Sequence, residues 1–132
     1  MDGCSNECQV ENHWECKNGG VGVKSDCTEI CGDGVVMIPK VGYCDDKNTN
    51  NKDGCDEFCK VEVGWECTPG SDTKESVCTE ICGDGKKMVD DATKCDDNNI
   101  NSGDGCDKDC KIEPYWECKG GTPDTKDTCT EI

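Results

Sequence analysis

The chain has 132 residues, of which 16 are cysteine, and 30 acidic side chains against 14 lysines leave a formal net charge of −16. Leucine is absent, and such a low content of large apolar residues is typical of disordered chains. A cysteine content above about 8–10%, however, indicates a small fold held together by cross-links. The charge excludes a nucleic-acid-binding surface, and no apolar run approaches the roughly 20 residues that a membrane span needs.

The cysteine spacing favours disulfides over metal sites. The two-residue gaps usual in zinc sites are missing, and the closest pairs, such as Cys4 and Cys8, are four residues apart. A metal-storing thiol protein is the alternative. Disulfides persist in oxidising compartments, so we expect a secreted or cell-surface protein. Met1 is followed by Asp-Gly-Cys-Ser and not by a signal peptide, so we expect a mature piece or an excerpt of a longer protein.

The cysteines recur with a period of 51 residues, which marks an internal tandem repeat. Two complete units, residues 31–81 and 82–132, both begin Cys-Gly-Asp-Gly and end Cys-Thr-Glu-Ile, and residues 1–30 match the C-terminal part of such a unit. All sixteen cysteines are candidates for disulfides: Cys4, Cys8, Cys16, Cys27, Cys31, Cys44, Cys55, Cys59, Cys67, Cys78, Cys82, Cys95, Cys106, Cys110, Cys118 and Cys129.

Every segment holds an even number of cysteines, so the simplest scheme closes the disulfides within units. The truncated unit lacks only the equivalents of Cys31 and Cys44, so these two are expected to bond each other. The other four cysteines of a unit then pair among themselves in one of three patterns, and cross-links between units or between chains stay open. Each bridge that closes a loop of about 15 residues contributes roughly 3 kcal/mol, which matters more here than an apolar core.

Turn-forming residues separate the cysteines and predict small hairpins rather than a wide sheet. Short β-prone stretches lie at residues 35–38, 60–63 and 111–113, and single helical turns are expected at most near residues 55–59 and 106–110. The predicted fold class is therefore small disulfide-rich tandem repeats, mostly loops and short β-hairpins with little helix. Because each unit of a repeat array contacts its neighbours, we expect an elongated rod.

The acidic loop between the second and third cysteines of each complete unit is a candidate calcium site. Asp and Asn side chains alternate there and a further Asp follows, a pattern that suits a hard cation with six to eight oxygen ligands. The predicted ligands are Asp45, Asp46, Asn48, Asn50 and Asp53 in one loop, and Asp96, Asp97, Asn99, Asn101 and Asp104 in the other. Crowded carboxylates repel one another without a cation, but the same residues are ordinary turn formers, so a metal-free turn is the alternative. The loop is not an EF-hand, because its sixth position is Asn51 or Ser102 instead of Gly.

Each unit places one tryptophan in a Trp-Glu-Cys motif, at Trp14, Trp65 and Trp116. We expect these rings to cover disulfide sulfurs and to supply most of a small core, and the alternative is an exposed platform that stacks on sugars. His13 is the only histidine and has no counterpart in the other units. No nucleophilic or acid–base machinery is recognisable, so we do not expect an enzyme.

The ordered motifs Cys-Gly-Asp-Gly, Cys-Asp-Asp-x-Asn and Asp-Gly-Cys-x-x-x-Cys-x-Val/Ile-Glu-x-x-Trp-x-Cys resemble the Myxococcus-type cysteine-rich repeat, twice in full and once in part. That family is abundant in surface and secreted proteins of ciliates and other protists. The resemblance implies disulfide-rich extracellular modules and does not imply one activity. The residue after Cys-Asp-Asp, often Gly in the family, is Lys47 or Asn98 here.

These observations together predict a non-enzymatic extracellular structural protein, such as a surface coat, stalk or fibre component, stabilised by disulfides and calcium and able to self-assemble. The expected partners are copies of the chain itself or other matrix and surface components. Variable loops at residues 68–77 and 119–128 are candidates for O-linked glycans. The alternative function is an adhesion module that presents the tryptophans and the variable loops to a glycan or a protein.

Overall fold

The computed structural model describes residues 2–132, and no helix occurs in this range. Its regular structure is six short strands, paired in chain order as three two-stranded antiparallel sheets. The strands are β1 (Trp14–Lys17), β2 (Asp26–Glu29), β3 (Trp65–Cys67), β4 (Cys78–Glu80), β5 (Trp116–Lys119) and β6 (Thr128–Glu131). The prediction of short hairpins in tandem repeats is confirmed. Among the described residues, no helix is long and apolar enough to cross a membrane.

Each sheet is a hairpin that a disulfide ties across its two strands. In the first hairpin Trp14 lies opposite Glu29 and Cys16 opposite Cys27, and the two cysteines are bonded with their Cα atoms 4.1 Å apart. Along β1 the side chains alternate between inside and outside, with Trp14 buried and Glu15 exposed, as the period-two geometry of a strand requires. The other two hairpins repeat the bond, between Cys67 and Cys78 and between Cys118 and Cys129.

The strands do not lie where β-propensity suggested. Residues 35–38 form no strand, and residues 60–63 and 111–113 contribute only isolated bridges, such as Val61 opposite Cys55. The expected helical turns at residues 55–59 and 106–110 are instead tight turns. In the first of them the Cys59 amide donates to the Asp56 carbonyl oxygen at 2.9 Å. Tertiary context overrides propensity here, since residues 60–63 and 111–113 directly follow Cys59 and Cys110, which disulfides hold to Cys31 and Cys82.

The remaining disulfides form a nested pair in each repeat. Cys31 bonds Cys59, and inside that loop Cys44 bonds Cys55. The second repeat has the same arrangement, with Cys82–Cys110 around Cys95–Cys106. The predicted bond between Cys31 and Cys44 is therefore wrong. The chain turns back after Cys44, and the Cys44 amide donates to the Cys59 carbonyl oxygen at 3.1 Å. This turn places Cys55 and Cys59, the third and fourth cysteines of the unit, beside the first two.

The four cysteines of residues 1–30 were expected to pair among themselves, and only two of them do. Cys16 bonds Cys27, but Cys4 and Cys8 carry free, exposed thiols, and they are the only cysteines in the described chain without a bond. Their equivalents, such as Cys55 and Cys59, bond the first two cysteines of a unit, and residues 2–30 contain neither of those positions.

The chain divides into two compact units. One holds the residues up to Val61 together with Cys67–Cys78, and the other holds Glu62–Glu66 together with Thr79–Ile132. The buried hydrophobic residues of the first are Trp14, Val36, Cys44, Cys55 and Cys59, and those of the second are Cys95 and Cys106. Sulfur therefore replaces the aliphatic side chains that fill the core of an ordinary domain.

Candidate cation sites in the acidic loops

Two acidic loops are closed at their base by buried disulfides. Cys44–Cys55 closes the first, Cys95–Cys106 closes the second, and each of these four cysteines is at most 2% exposed. Every predicted oxygen ligand lies within one of these loops. A rigid base of this kind restricts the positions that the loop side chains can take.

The first aspartate of each Asp-Asp pair is buried and binds the backbone. Asp45 is fully buried, and its Oδ2 accepts the amide of Gly32 at 2.9 Å. Its Oδ1 accepts the amides of Gly34 at 2.8 Å and Lys47 at 3.0 Å. Both oxygens are thus occupied by strong, charge-assisted hydrogen bonds. The motifs Cys-Gly-Asp-Gly and Cys-Asp-Asp are therefore two halves of one interaction.

Asp96 has the same role in the second repeat. It accepts the amides of Gly83 at 2.9 Å, Gly85 at 2.8 Å and Asn98 at 3.0 Å, and it is 2% exposed. Gly83 and Gly85 have φ of +87° and +76°, in the left-handed region that favours glycine. Asp45 and Asp96 were predicted as cation ligands. In the structure their carboxylates instead accept backbone amides and hold the Gly-Asp-Gly turns.

The second aspartate of each pair faces another carboxylate. Asp46 and Asp53 each bury an Oδ1 atom for which the described residues supply no hydrogen-bond partner, and Asp97 and Asp104 do the same. Burial, followed by the charge of Asp53, raises the pKa of Asp46, and burial followed by Asp104 raises the pKa of Asp97. Both shifts have the physical cause expected of two carboxylates held together with too little water. The structure therefore brings these residues together as two matched pairs.

The predicted amide ligands differ in position. The side-chain oxygens of Asn48 and Asn99 accept the backbone amides of Asn50 and Asn101, each at 2.6 Å. Asn99 also donates from Nδ2 to Asp104 at 3.1 Å, so it lies against the carboxylate pair. Asn50 and Asn101 are themselves exposed. Alternation along the sequence thus predicted the loop but not which of its side chains face inward.

Clusters of sulfur and carboxylate near Asp45 and Asp96 are not sites for a soft metal. The Sγ atoms of Cys31 and Cys59 lie within 4.8 Å of an Asp45 oxygen, and Cys82 and Cys110 lie equally close to Asp96. All four sulfurs belong to disulfides, and only a thiolate binds a soft metal strongly. The metal-storing alternative therefore fails for these cysteines.

Each acidic loop is also clamped to a hairpin by a contact that the sequence analysis did not find. The Asp45 amide donates to Ser76 Oγ at 3.1 Å, and the Ser76 amide donates to the Asp45 carbonyl oxygen at 2.7 Å. Asp127 makes the same pair of bonds with Asp96, at 3.0 and 2.7 Å. Ser76 and Asp127 are each 3% exposed and occupy equivalent repeat positions inside the variable loops. The signal available in the sequence was a Ser or Asp at the same position of each repeat, Ser25, Ser76 and Asp127.

Trp14 and Trp116 pack against the glycine of the Asp-Gly-Cys motif in their units. Trp14 is 7% exposed, and a Cβ atom at Gly3 would lie 2.9 Å from its Cε3 atom. At the equivalent Gly105, a Cβ atom would lie 2.7 Å from Cε3 of Trp116. One face of each of these two rings is therefore covered by backbone, as the packing role predicts and an open stacking platform does not.

An open groove of about 590 Å³ lies beside the first hairpin. Its lining includes Trp14, Tyr43 and Phe58, the last 70% exposed, together with the carboxylate of Glu29. Burial, followed by the charges of Glu29 and Asp45, raises the pKa of Tyr43 to about 12.

Comparison with known proteins identifies the repeat. Residues 12–60 and 64–111 each match the family described as a domain of unknown function, DUF4215. Each match holds three complete disulfides. The specific likeness to Myxococcus-type repeats stays a prediction.

A segment of 37 residues, 28% of the chain, is 51% identical to Pappalysin-1 of Mus musculus and 46% identical to Pappalysin-1 of Homo sapiens. That segment spans only 2% of the length of either protein. No solved structure matches the chain significantly. Because the two family matches cover well over half of its length, the chain belongs to the DUF4215 family, as two tandem copies of a disulfide-rich repeat.

Proposed function

We propose that the chain is a non-enzymatic extracellular structural module whose acidic loops bind calcium. The observation that carries this proposal is the pair of facing carboxylates in each repeat, Asp46 with Asp53 and Asp97 with Asp104, each burying an oxygen that no described residue satisfies. The seven disulfides support the extracellular location, because such bonds persist where the surroundings are oxidising.

A hard cation would neutralise the repulsion between the two carboxylates of each pair and would bind their unsatisfied oxygens. An unsatisfied buried acceptor costs about 1–3 kcal/mol, and more when it is charged. Calcium accepts carboxylate, amide and water oxygens in a flexible shell, whereas magnesium requires a stricter octahedron and zinc prefers nitrogen and sulfur. Asp46 and Asp53 would hold the ion in the first loop, and Asp97 and Asp104, beside Asn99, would hold it in the second.

Calcium would then stabilise the repeat without taking part in any chemistry. Binding to the folded protein alone raises its stability by an amount that grows with the ratio of free calcium to the dissociation constant. Asp45 and Asp96 would keep each loop in shape, since their carboxylates hold the glycine turns. The structural role of the module is thus carried by disulfides, with calcium stiffening the loops between them.

Calorimetry on chelator-treated, fully oxidised protein tests the calcium sites. We expect two binding events, a higher thermal midpoint with calcium, and a smaller effect from magnesium. Asp46→Asn and Asp97→Asn are each expected to remove one event, while Asp72→Asn, an exposed position, removes the same charge and leaves both. If neither calorimetry nor the melt responds to calcium, the loops are metal-free turns.

A structural role in a coat, stalk or fibre predicts association of the module with itself. Light scattering of the oxidised chain at rising concentration, with and without calcium, measures it. Assembly that calcium promotes would support a fibre or coat component. A monomer at every concentration would contradict it.

The aromatic groove favours a second candidate, a module for adhesion. Phe58 is 70% exposed beside Trp14 and Tyr43, and ligand pockets are commonly lined by aromatic side chains with a few polar or charged groups. Glycan and peptide arrays test this candidate. Binding that Phe58→Ala abolishes would support adhesion, and binding unaffected by this variant would contradict a role for the groove.

A further inference from the structure

We propose that the aromatic groove of the first repeat binds a lysine side chain presented by a basic segment of a partner protein. The aromatic groove is the open cleft whose lining includes Trp14, Tyr43, Phe58, Glu29 and Glu57. The proposal rests on the adhesion candidate above, for which it names the ligand, and it does not involve the calcium sites.

A groove recurs at the equivalent place in the second repeat. Both grooves lie beside the glutamate of the Cys-Thr-Glu-Ile motif, Glu29 in the first and Glu80 in the second. The first measures about 590 Å³ and the second about 110 Å³. The exposed Phe58 of the first is replaced by Asp109 in the second. The repeat therefore provides the groove, and the side chains that line it decide what it can bind.

The second repeat fills this position with a lysine of its own. Lys94 Nζ lies 3.5 Å from Glu80 Oε2, in an ion pair that is partly buried. The first repeat has Tyr43 at the position of Lys94, so the ammonium group that faces the glutamate in the second repeat is missing from this position. A lysine side chain from a partner restores that charge beside Glu29.

The carboxylate of Glu29 is fixed for such a contact. Its Oε1 accepts the amide of Ile38 at 2.7 Å, and its Oε2 accepts the amide of Met37 at 3.2 Å. Burial, followed by the charge of Glu29, raises the pKa of Tyr43 to about 12, as expected where negative potential meets a partly closed site. Glu57 adds another carboxylate to the lining. The groove therefore favours a cation and disfavours an anion.

The aromatic side chains of the groove suit an ammonium group on an alkyl stem. Lys40 Nζ lies over the Tyr43 ring, 5.8 Å from its centroid, so this ring is open to an ammonium at cation–π distance. Phe58 projects from a fixed turn, because Asp56 Oδ1 accepts its amide at 2.9 Å and the next residue, Cys59, is held in a disulfide. An alkyl stem packs against an exposed ring while its charged end reaches a carboxylate.

The net charge of the chain indicates which kind of partner occupies the groove. Two copies of a chain with a charge of −16 repel each other, so a second copy is disfavoured as the occupant, and so is an anionic sugar. A basic protein segment is instead attracted to this surface. Because the attraction is electrostatic, its association should weaken as added salt screens the charges.

The test is an NMR titration of the full, oxidised chain in chelator. The probe is a capped Gly-Ser-Lys-Ser-Gly peptide, in which the lysine carries the only charge. We expect saturable shifts of the Phe58 and Ile38 amides and none at Ile100, an exposed residue of the second repeat. The same peptide with acetyl-lysine keeps the alkyl stem but loses the charge, and it should bind about tenfold more weakly.

Two variants that make the same charge change provide a matched comparison. Tyr43→Lys gives the first groove the residue that the second repeat carries at this position, so the variant is expected to fold. Its new ammonium should pair with Glu29 and lower the affinity for the peptide about tenfold. Tyr115→Lys adds the same charge at an exposed tyrosine of the second repeat and should leave the affinity unchanged. Near-UV circular dichroism checks the fold of both.

The outcomes separate the ligand from the broader adhesion role. Equal binding of the lysine and acetyl-lysine peptides, or equal affinity of Tyr43→Lys and Tyr115→Lys, would overturn the proposal. Co-sedimentation with phosphatidylcholine vesicles, in the absence of peptide binding, would also overturn it and indicate a lipid headgroup. Binding of an uncharged ligand that depends on Phe58, in place of the lysine peptide, would overturn it and leave the adhesion candidate standing.

Discussion

Asp45→Asn is expected to destabilise the first repeat strongly even though it is nearly isosteric. The carboxylate accepts three backbone amides, at 2.8, 2.9 and 3.0 Å, in a site that is closed to solvent. An asparagine amide group can accept on one atom only. The substitution therefore sets its NH₂ group against the Gly32 amide and leaves that donor without a partner.

The magnitude follows from the bonds that are lost. A hydrogen bond to a charged group contributes about 1.5–3 kcal/mol, and one such bond disappears while the other two become neutral. We therefore expect a loss of about 3 kcal/mol. For a cooperative unit of 60–100 residues, about 1 kcal/mol shifts the midpoint by roughly 4–8 °C, so the midpoint should fall by about 12 °C or more.

The assay is thermal unfolding of the oxidised protein followed by near-UV circular dichroism, in chelator so that no cation contributes. Asp72→Asn is the matched control, because it removes one charge from an exposed position in the same unit. Asp96→Asn applies the same perturbation to the second repeat. If Asp45→Asn and Asp72→Asn unfold within about 2 °C of each other, the carboxylate does not organise the Gly-Asp-Gly turn and the reasoning fails.

Three further predictions concern packing, ionisation and the hairpin clamp. In denaturant unfolding, Gly105→Ala should lower the free energy of unfolding by about 1–3 kcal/mol more than Gly103→Ala does. Both glycines have positive φ, but only Gly105 lies against the Trp116 ring, so equal losses would contradict this packing. Tyr115→Phe leaves Tyr43 as the only tyrosine, so tyrosinate absorbance should then appear with a midpoint near pH 12. The stability that comes from the raised pKa of Tyr43 should be lost as the pH rises from about 10 to 12. A midpoint near pH 10 would refute the burial argument. Ser76→Ala should lower stability by about 1 kcal/mol and speed amide exchange at Asp45, and unchanged exchange there would argue against the clamp.

The repeat and its helix-poor hairpins were predictable, but the pairing of its sulfurs was not. An even number of cysteines in each segment is compatible with several topologies, and the absence of only the Cys31 and Cys44 equivalents from the truncated unit suggested a bond between these two. The actual pairing depends on a contact distant in sequence, the reach of Asp45 back to Gly32 and Gly34. Composition cannot show such a contact, because it records which residues can accept amides and not which amides they meet.

The acidic loops show the same limit at the scale of single side chains. Alternating Asp and Asn residues predicted a cation site in this loop, and the structure places Asp46 close enough to Asp53 for the charge of Asp53 to raise the pKa of Asp46. Spacing could not separate Asp45, which turns into the fold, from Asp46, which turns toward the opposite carboxylate. Nor could it show that Asn50 is exposed, since the direction of a loop side chain depends on the folded backbone and not on its position in the sequence.

The disulfide arrangement also limits how far the chain can be drawn out under tension. Between Cys16 and Cys129, a stretch that is fully described, the backbone outside disulfide loops is residues 28–30, 60–66, 79–81 and 111–117. At about 3.3–3.6 Å per residue these segments extend to roughly 10 or 25 Å each. A pulling force is therefore borne by covalent bonds after only a short extension. The disulfides prevent the loops from adding the contour length that an ordinary domain releases when it unfolds. Resistance to stretching is built into this repeat by its connectivity, whatever the strength of its weaker contacts.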